Sequence, residues 1–376
     1  MTRVPKNTTR KPTSKKTFSI SDYKKKNNAV DVADKPLEWI VLSPALQQAT
    51  GLLGYPKGYV SLSRGFSNTG KSTAILEAAV SAQKMGILPI IIDTENNIAR
   101  DRLSLMGFDW DNDFYIYIDN DFLLKEFGRK KDKKKTIASI EDMADCINYF
   151  LNQQENGDLP VDLIFIIDSI GTLDCDRSIN AHDKGTSDNN MWNAGAYERA
   201  FKGIINSRIP SSRKINKTYT NTLVGVQKIW LDSMAGGAPT VKHKGGEAFY
   251  FASRLIYHHG GIMTHGTKKI SSTSKHKEVL WGVETKIKVE KNHIDGPLGG
   301  IGLEGKLIST PHGFIGIEKE DKDKYKKEHI LYFREKLEDT NLNVEDIKLN
   351  YSQDNTEVSF DVDEFNKEMG ENIGND

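Results

Sequence analysis

The chain is poor in the features that would build a secreted, metal-clustered or membrane-spanning protein. Only two cysteines occur in 376 residues, Cys146 and Cys175, and they stand alone without metal-ligand spacing. Two thiols cannot form a disulfide framework for a chain of this size, so a reducing, cytoplasmic setting is expected. No apolar run approaches the roughly 18 residues that would mark a bilayer span, and the basic N-terminus has no apolar segment behind it. Membrane insertion and secretion are therefore not expected. Internal repeats are lacking too. The net charge is +0, but it is unevenly spread. Residues 1–30 are crowded with Lys and Arg, whereas the chain from Asp354 onward is acidic, with Lys367 its single cation. A basic arm and an acidic tail on one chain suggest a polyanion partner and a segment that competes with it.

The most informative stretch is Gly65-Phe66-Ser67-Asn68-Thr69-Gly70-Lys71-Ser72-Thr73, a complete G-x-x-x-x-G-K-S phosphate loop. Tyr59 to Ser63 before it alternates like a strand, and Ala74 to Val80 after it has helical spacing. Strand, glycine loop and helix N-terminus together present backbone N–H groups to a polyphosphate. In that setting Lys71 neutralises the β- and γ-phosphates and Ser72 ligates Mg²⁺. ATP and Mg²⁺ are the expected cofactors, with Gly65, Ser67, Asn68, Thr69, Gly70 and Thr73 completing the cradle.

Three further apolar runs end in a polar residue: Ile87 to Asp93, Val161 to Asp168, and Leu223 to Gln227. Continuous apolar runs separated by helical patterns, such as Ser139 to Leu151, argue for an α/β fold with a mostly parallel twisted sheet flanked by helices. In such a sheet the polar groups at strand C-termini converge on the ligand crevice. Asp168 would then hold the Mg²⁺ shell, Glu95 would orient and deprotonate an attacking water, and Gln227 would sense the γ-phosphate. The alternative for Asp93 and Glu95 is a simple helix cap. Two basic stretches, Arg129 to Lys135 and Arg208 to Lys217, read as solvated loops. Glu318 to Leu337 reads as a charged helical element.

From about residue 36 to 317 these motifs resemble the RecA-type strand-exchange recombinases, in their phage UvsX-like branch. Gly51 to Gly58 is similar to that family's lead-in to its first core strand, and Ile167-Asp168-Ser169 to its Walker B segment. Val226-Gln227 matches its allosteric glutamine, and Lys244-Gly245-Gly246 followed by Glu247 to Leu255 resembles the close of its second DNA-binding loop. The resemblance implies a RecA-like ATPase core over 36–317, an N-terminal arm over 1–35 used for oligomerisation, and a C-terminal extension with the acidic tail over 318–376. It implies single-stranded DNA and homologous duplex as partners, self-association into a helical filament, and an accessory mediator and single-strand-binding protein. If the chain is phage-encoded, its compartment is the host cytoplasm. It also implies that Lys291, with His293 where bacterial members carry a second Lys, reaches the ATP of a neighbouring subunit. Two loops would carry DNA. The first, Gly171 to Asn190, has Arg177 and Lys184 and little to pack, with Arg199 beyond it. The second, Lys228 to Lys244, offers Lys228, Trp230, Met234, Gly236, Gly237, Lys242, His243 and Lys244, followed by Gly245 and Gly246. Cations and stacking groups on small flexible residues suit a stretched single strand. A hexameric helicase, a non-hydrolysing recombination mediator and a small-molecule kinase are the alternative classes. Intact Lys71, Glu95 and Asp168 speak against the mediator.

Overall fold

The computed structural model describes residues 33–128, 135–185, 190–232, 240–261, 265–274, 277–294 and 302–351, with Ser19 and Ser21. The basic arm, the cations at 129–134 and the acidic tail lie outside the described residues.

Strands β1 (Trp39–Val41) and β2 (Gly54–Pro56) pair antiparallel around helix α1 (Pro44–Thr50). Strand β3 (Val60–Gly65) leads through the phosphate loop into α2 (Lys71–Lys84). Then come β4 (Leu88–Asp93), α3 (Arg100–Leu105), β5 (Ile116–Asp119), α4 (Asn120–Phe127), α5 (Ile140–Asn156) and β6 (Leu163–Ile170). After α6 (Asp176–Asp183) and α7 (Asn190–Gly203), a π-helical turn at Ile204–Arg208 brings the chain towards β7 (Asn221–Asp232). Next are β8 (Thr240–His243), the short α8 (Ala248–Ala252), β9 (Leu255–His259), β10 (Lys268–Ser274) and β11 (Lys277–Asn292). The remaining elements are β12 (Glu304–Thr310), β13 (Gly313–Ile315), α9 (Lys319–Glu328), α10 (Ile330–Leu337) and β14 (Lys348–Tyr351).

One twelve-stranded sheet runs β13-β12-β11-β9-β3-β7-β6-β4-β5, with β8 on β7 and β10 and β14 beyond β11. From β9 to β5 every pairing is parallel, the α/β core expected from the apolar runs. Beyond β9 the pairings turn antiparallel. Both faces of the parallel part are covered. Along β6, Leu163, Phe165 and Ile167 pack with α5 and α7, whereas Ile164 and Ile166 pack with α2. That two-sided burial is why its sequence is continuously apolar instead of alternating. Helix α5 is fixed at its start by a capping box, Ser139 and Asp142 exchanging hydrogen bonds with each other's backbone. Lys135, grouped in the sequence with a solvated loop, is instead buried and ion-paired with Asp142 and with Asp176 at 2.6 Å. The Arg208–Lys217 stretch is likewise pinned: Arg208 to Asn148 and Glu155, and Arg213 and Lys214 to Asp34.

The C-terminal helices share a core with the antiparallel strands. Trp281 is enclosed by Ile270, Ile308, Tyr325, Phe333 and Leu337, and β14 pairs with β10. Where this unit meets α1, the His312 ring stacks on His329 with centroids 3.7 Å apart, and its Nδ1 lies 2.8 Å from the Tyr325 hydroxyl. Burial and the neighbouring His329 pull His312 down to about 4, and burial lowers His329 too. Asp321, Lys324 and Glu328 line the cleft beside the pair, and Tyr332 meets His312 edge-on. Both rings therefore fold neutral, and the unfolded chain takes up protons first. The stability they contribute is complete above the ordinary histidine value near 6.5 and is lost as the pH falls towards 4. The melting temperature, followed by Trp281 fluorescence, should drop between pH 6.5 and 4.5, and that drop should shrink in His312→Asn.

Candidate nucleotide and DNA site

The phosphate loop is shaped by backbone that side chains rarely tolerate. Gly65 and Gly70 have positive φ, and a Cβ at Gly65 would strike the His259 carbonyl oxygen at 2.2 Å. Thr69 Oγ1 donates to the Phe66 carbonyl at 2.8 Å, closing the turn. Lys71, 5% exposed, also donates to that carbonyl, so its ammonium points back over the loop. Burial pushes Lys71 down to about 8, opposed by the attraction of Asp168. Behind the loop, Glu77 on α2 accepts backbone N–H groups from Ser43 at 3.1 Å and Phe314 at 2.7 Å, locking α2 to α1 and β13. Burial raises that carboxyl to about 7.

The tips of β4 and β6 stand beside this loop. Burial raises Asp168 to about 6; the Ser72 hydroxyl bonded to it pulls the other way, and Glu95 and Asp93 add to the rise. A lysine and an aspartate both driven towards neutrality in one cleft mark a place built for a charged ligand. The donor set fits Mg²⁺: a hydroxyl and a carboxylate oxygen on a buried acid, the hard oxygen ligands that ion prefers. The β4 and β6 tips are held together by Thr94 Oγ1, which accepts from Ser169 N at 2.9 Å and donates to the Ser169 carbonyl at 3.0 Å. Asp93 serves the turn, accepting from Tyr117 Oη at 2.8 Å and from Ile98 N at 2.8 Å. Glu95 instead faces a cleft of about 270 Å³ with Lys71, Ser72, Asp168, Arg102, Asn97 and Lys228. Its carboxylate accepts from Ser169 Oγ, from Thr172 Oγ1 at 3.0 Å and from Lys228 Nζ at 2.7 Å. Burial alone would raise Glu95, but the Lys228 and Ser169 bonds outweigh it and hold it below the usual carboxylate range. Lys228, expected on DNA, is thus placed at the phosphate cleft.

Gln227 does not line that cleft. Side chains alternate along β7, so Val226 and Lys228 face the cleft and Gln227 turns away. Fully buried, it donates through Nε2 to the Lys244 carbonyl at 2.9 Å and the Gly246 carbonyl at 3.3 Å, and its Oε1 has no partner among the described residues. Lys291 and His293 line neither phosphate cleft of their own chain. The antiparallel β11 carries them to the start of β9, with Lys291 opposite Ile256 and His293 N bonded to the Arg254 carbonyl, whereas the phosphate loop sits by the end of β9 at His259. Lys291 Nζ caps the end of α8, donating to the Tyr250 carbonyl at 2.8 Å.

The first loop does pack. Leu173, Cys175 and Ile179 are buried and α6 forms within it, with Leu173 and Cys175 joining the core cluster of α5 and α7. Arg177 lies over the Trp192 ring at 3.9 Å; Lys184 ends α6, exposed, and Arg199 is exposed on α7. The second loop begins and ends as a hairpin in which β7 pairs with β8, Trp230 opposite Lys242 and Ile229 opposite His243. Trp230 is 42% exposed, Lys242 and Lys244 are exposed, and His243 stacks on Tyr250. Met234, Gly236 and Gly237 lie outside the described residues. The roots of the two loops touch: a Cβ at Gly171 would meet Lys244 Cβ at 2.4 Å, and one at Gly245 would meet Ile170 Cγ2 at 2.5 Å. Gly246 packs against Ala194 of α7 with positive φ. Gly225 leaves room for the Ile170 side chain, whose Cδ1 a Cβ there would meet at 2.5 Å. Arg102 and the pairing of Lys228 with Glu95 went unseen in the sequence.

The fold is a RecA-like α/β core with a phosphate loop at the C-terminal ends of its parallel strands. No family model matches the chain. It is similar to proteins named RecA: 28% identical over 288 residues to that of Streptococcus agalactiae, covering 74% of this chain and 65% of the relative. To those of Streptococcus equi subsp. zooepidemicus and Streptococcus pyogenes serotype M5 it is 27% identical over 290 residues, with the same coverage. The chain thus spans 65% of the length of these relatives. Among the described residues no helix is long and apolar enough to cross a membrane.

Proposed function

We propose that this chain is a DNA-dependent ATPase that assembles as a helical filament on single-stranded DNA and promotes homologous pairing and strand exchange. The observation that carries the reading is the meeting of both candidate DNA loops at the nucleotide cleft. Ser169 and Thr172 at the root of the first, and Lys228 at the root of the second, all hold Glu95. Gln227 meanwhile grips the backbone at the far end of the second loop. A ligand that reorders either loop must therefore move groups around Glu95, and a phosphate that displaces Lys228 must move the loops.

In this reading Lys71 binds the phosphates and Glu95 orients the water and takes its proton. Ser72 and Asp168 hold Mg²⁺, which supplies charge neutralisation at the phosphates when bound. Lys291 and His293 act on a neighbour's nucleotide, which fits their distance from their own chain's loop. The arm over 1–35 links subunits, and the 318–376 extension flanks the core. Exposed Trp230, Lys242, Lys244 and Arg199 meet the single strand. Arg177, Lys184 and His243 support it. A mediator and a single-strand-binding protein are the expected accessories.

The test is ATP hydrolysis with and without single-stranded DNA, with electron microscopy of the complex formed on an ATP analogue. Stimulated hydrolysis and open helices support the reading; closed rings would favour a helicase, and no stimulation would remove DNA from the function. In Gln227→Ala, ATP should still bind but no longer tighten the hold on DNA. By linkage, DNA should then lose its effect on ATP affinity by the same factor. Equal tightening by ATP in variant and wild type would end Gln227's role as the relay.

A further inference from the structure

We propose that Arg102 is a phosphate-binding residue of this chain's own nucleotide site, a cation supplied from within the same subunit. The inference rests on the nucleotide-binding reading of the phosphate loop. Arg102 sits in the first turn of α3, directly after the turn that carries Glu95. Its Nη2 donates to Thr73 Oγ1 at 2.6 Å, and that hydroxyl lies 2.6 Å from Ser309 Oγ, so the guanidinium is fixed over the start of α2.

The fork is nevertheless under-used. A guanidinium offers five N–H donors in rigid geometry, and Thr73 takes one. Among the described residues no carboxylate forms an ion pair with it; the opposite charge it feels is that of Asp168, through space. Burial acts against its charged form. Among the described residues none of its nitrogens is buried without a partner, so the remaining donors are open to the cleft, where an anion's oxygens can take them.

Two clefts meet at the phosphate loop, and Arg102 lines both. One, of about 270 Å³, holds Glu95, Asp168 and Lys228. The other, of about 440 Å³, is walled by the phosphate loop, Lys269, Leu280, Val283 and Ser309. Apart from Asn68, Lys71 and Ser72 of the loop itself, Arg102 is the residue they have in common. Its fork is thus anchored beside the residues that cradle phosphate, and its planar pair of donors matches two phosphate oxygens. Lys291 and His293, by contrast, line neither cleft.

Calorimetric titration of the full chain with Mg·ATP and with inorganic Mg·tripolyphosphate, at a dilution where it is monomeric, tests this. Arg102→Gln should weaken both ligands by about 10- to 100-fold, the loss of hydrogen bonds to a charged group. Arg102→Lys, with charge but no fork, should lose less. The ligand-free melting temperature of both variants should match the wild type. If tripolyphosphate binds Arg102→Gln as tightly as wild type, Arg102 does not hold phosphate and the proposal falls. It falls equally if both variants melt earlier without ligand and lose affinity alike, since the role is then structural. A Lys71→Met control that still binds ATP at full strength would instead overturn the nucleotide reading on which the proposal rests.

Discussion

Lys71→Met should abolish measurable ATP binding while leaving the ligand-free protein at least as stable. The two halves of that expectation have one cause. Lys71 is 5% exposed and, among the described residues, is hydrogen-bonded to the Phe66 carbonyl alone, and burial pushes it down to about 8. Burial thus works against its charge, opposed by the attraction of Asp168. A polyphosphate removes that cost, so the ammonium works mainly in the bound state. Removing one partner of a buried charge pair costs about 3–5 kcal/mol, or on the order of 10²- to 10⁴-fold in affinity. Methionine fills the volume without the charge, so the apo protein should not suffer. Thermal melting checks both halves at once. Wild type with ATP at a hundred times its dissociation constant should gain about 2.7 kcal/mol, and the variant almost nothing. A variant that melts well below wild type without ligand would make Lys71 a structural residue.

The sequence showed the parallel core because its chemistry is extreme there. Strands β4 and β6 are buried on both faces, so they read as unbroken apolar runs, and the acids Asp93 and Asp168 stand out at or near their ends. The antiparallel strands hid for the opposite reason. Strand β10, Lys268 to Ser274, is half exposed and mostly polar, and what buries Ile270 is the distant C-terminal core around Trp281. The first candidate DNA loop looked unpacked because Leu173, Cys175 and Ile179 are single apolar residues among polar ones, and only the fold buries them. Gln227 was visible as a strand-terminal amide, but its direction depends on where strand alternation places it, and β7 continues past it to Asp232. Cations were least legible. Lys135, Arg102 and Lys228 look like solvated charges in one dimension, and each finds its partner from a separate element: Asp176, Thr73 and Glu95.

That last pairing shapes what Glu95→Gln should do. An amide keeps the shape of the side chain and can still accept from Ser169 and Thr172, but it cannot take a proton from water. Hydrolysis should therefore fall on the order of 10²-fold or more, the scale of a general base, while ATP-dependent DNA binding persists. Near-normal turnover would remove Glu95 from that role. A second variant separates the base from its restraint. Lys228 Nζ lies 2.7 Å from Glu95 and, with Ser169, holds it ionised but engaged. A carboxylate that is accepting three hydrogen bonds is a poor base until one is released. If DNA or the nucleotide draws Lys228 away, then Lys228→Met should raise hydrolysis without DNA and shrink the DNA-stimulated increment. The double variant Glu95→Gln with Lys228→Met should be as slow as Glu95→Gln alone, because the lysine acts only through the acid. Steady-state rates of the four proteins, with and without single-stranded DNA, close this cycle. If the Lys228 change lowers DNA-free hydrolysis instead, the lysine assists the reaction and does not restrain it.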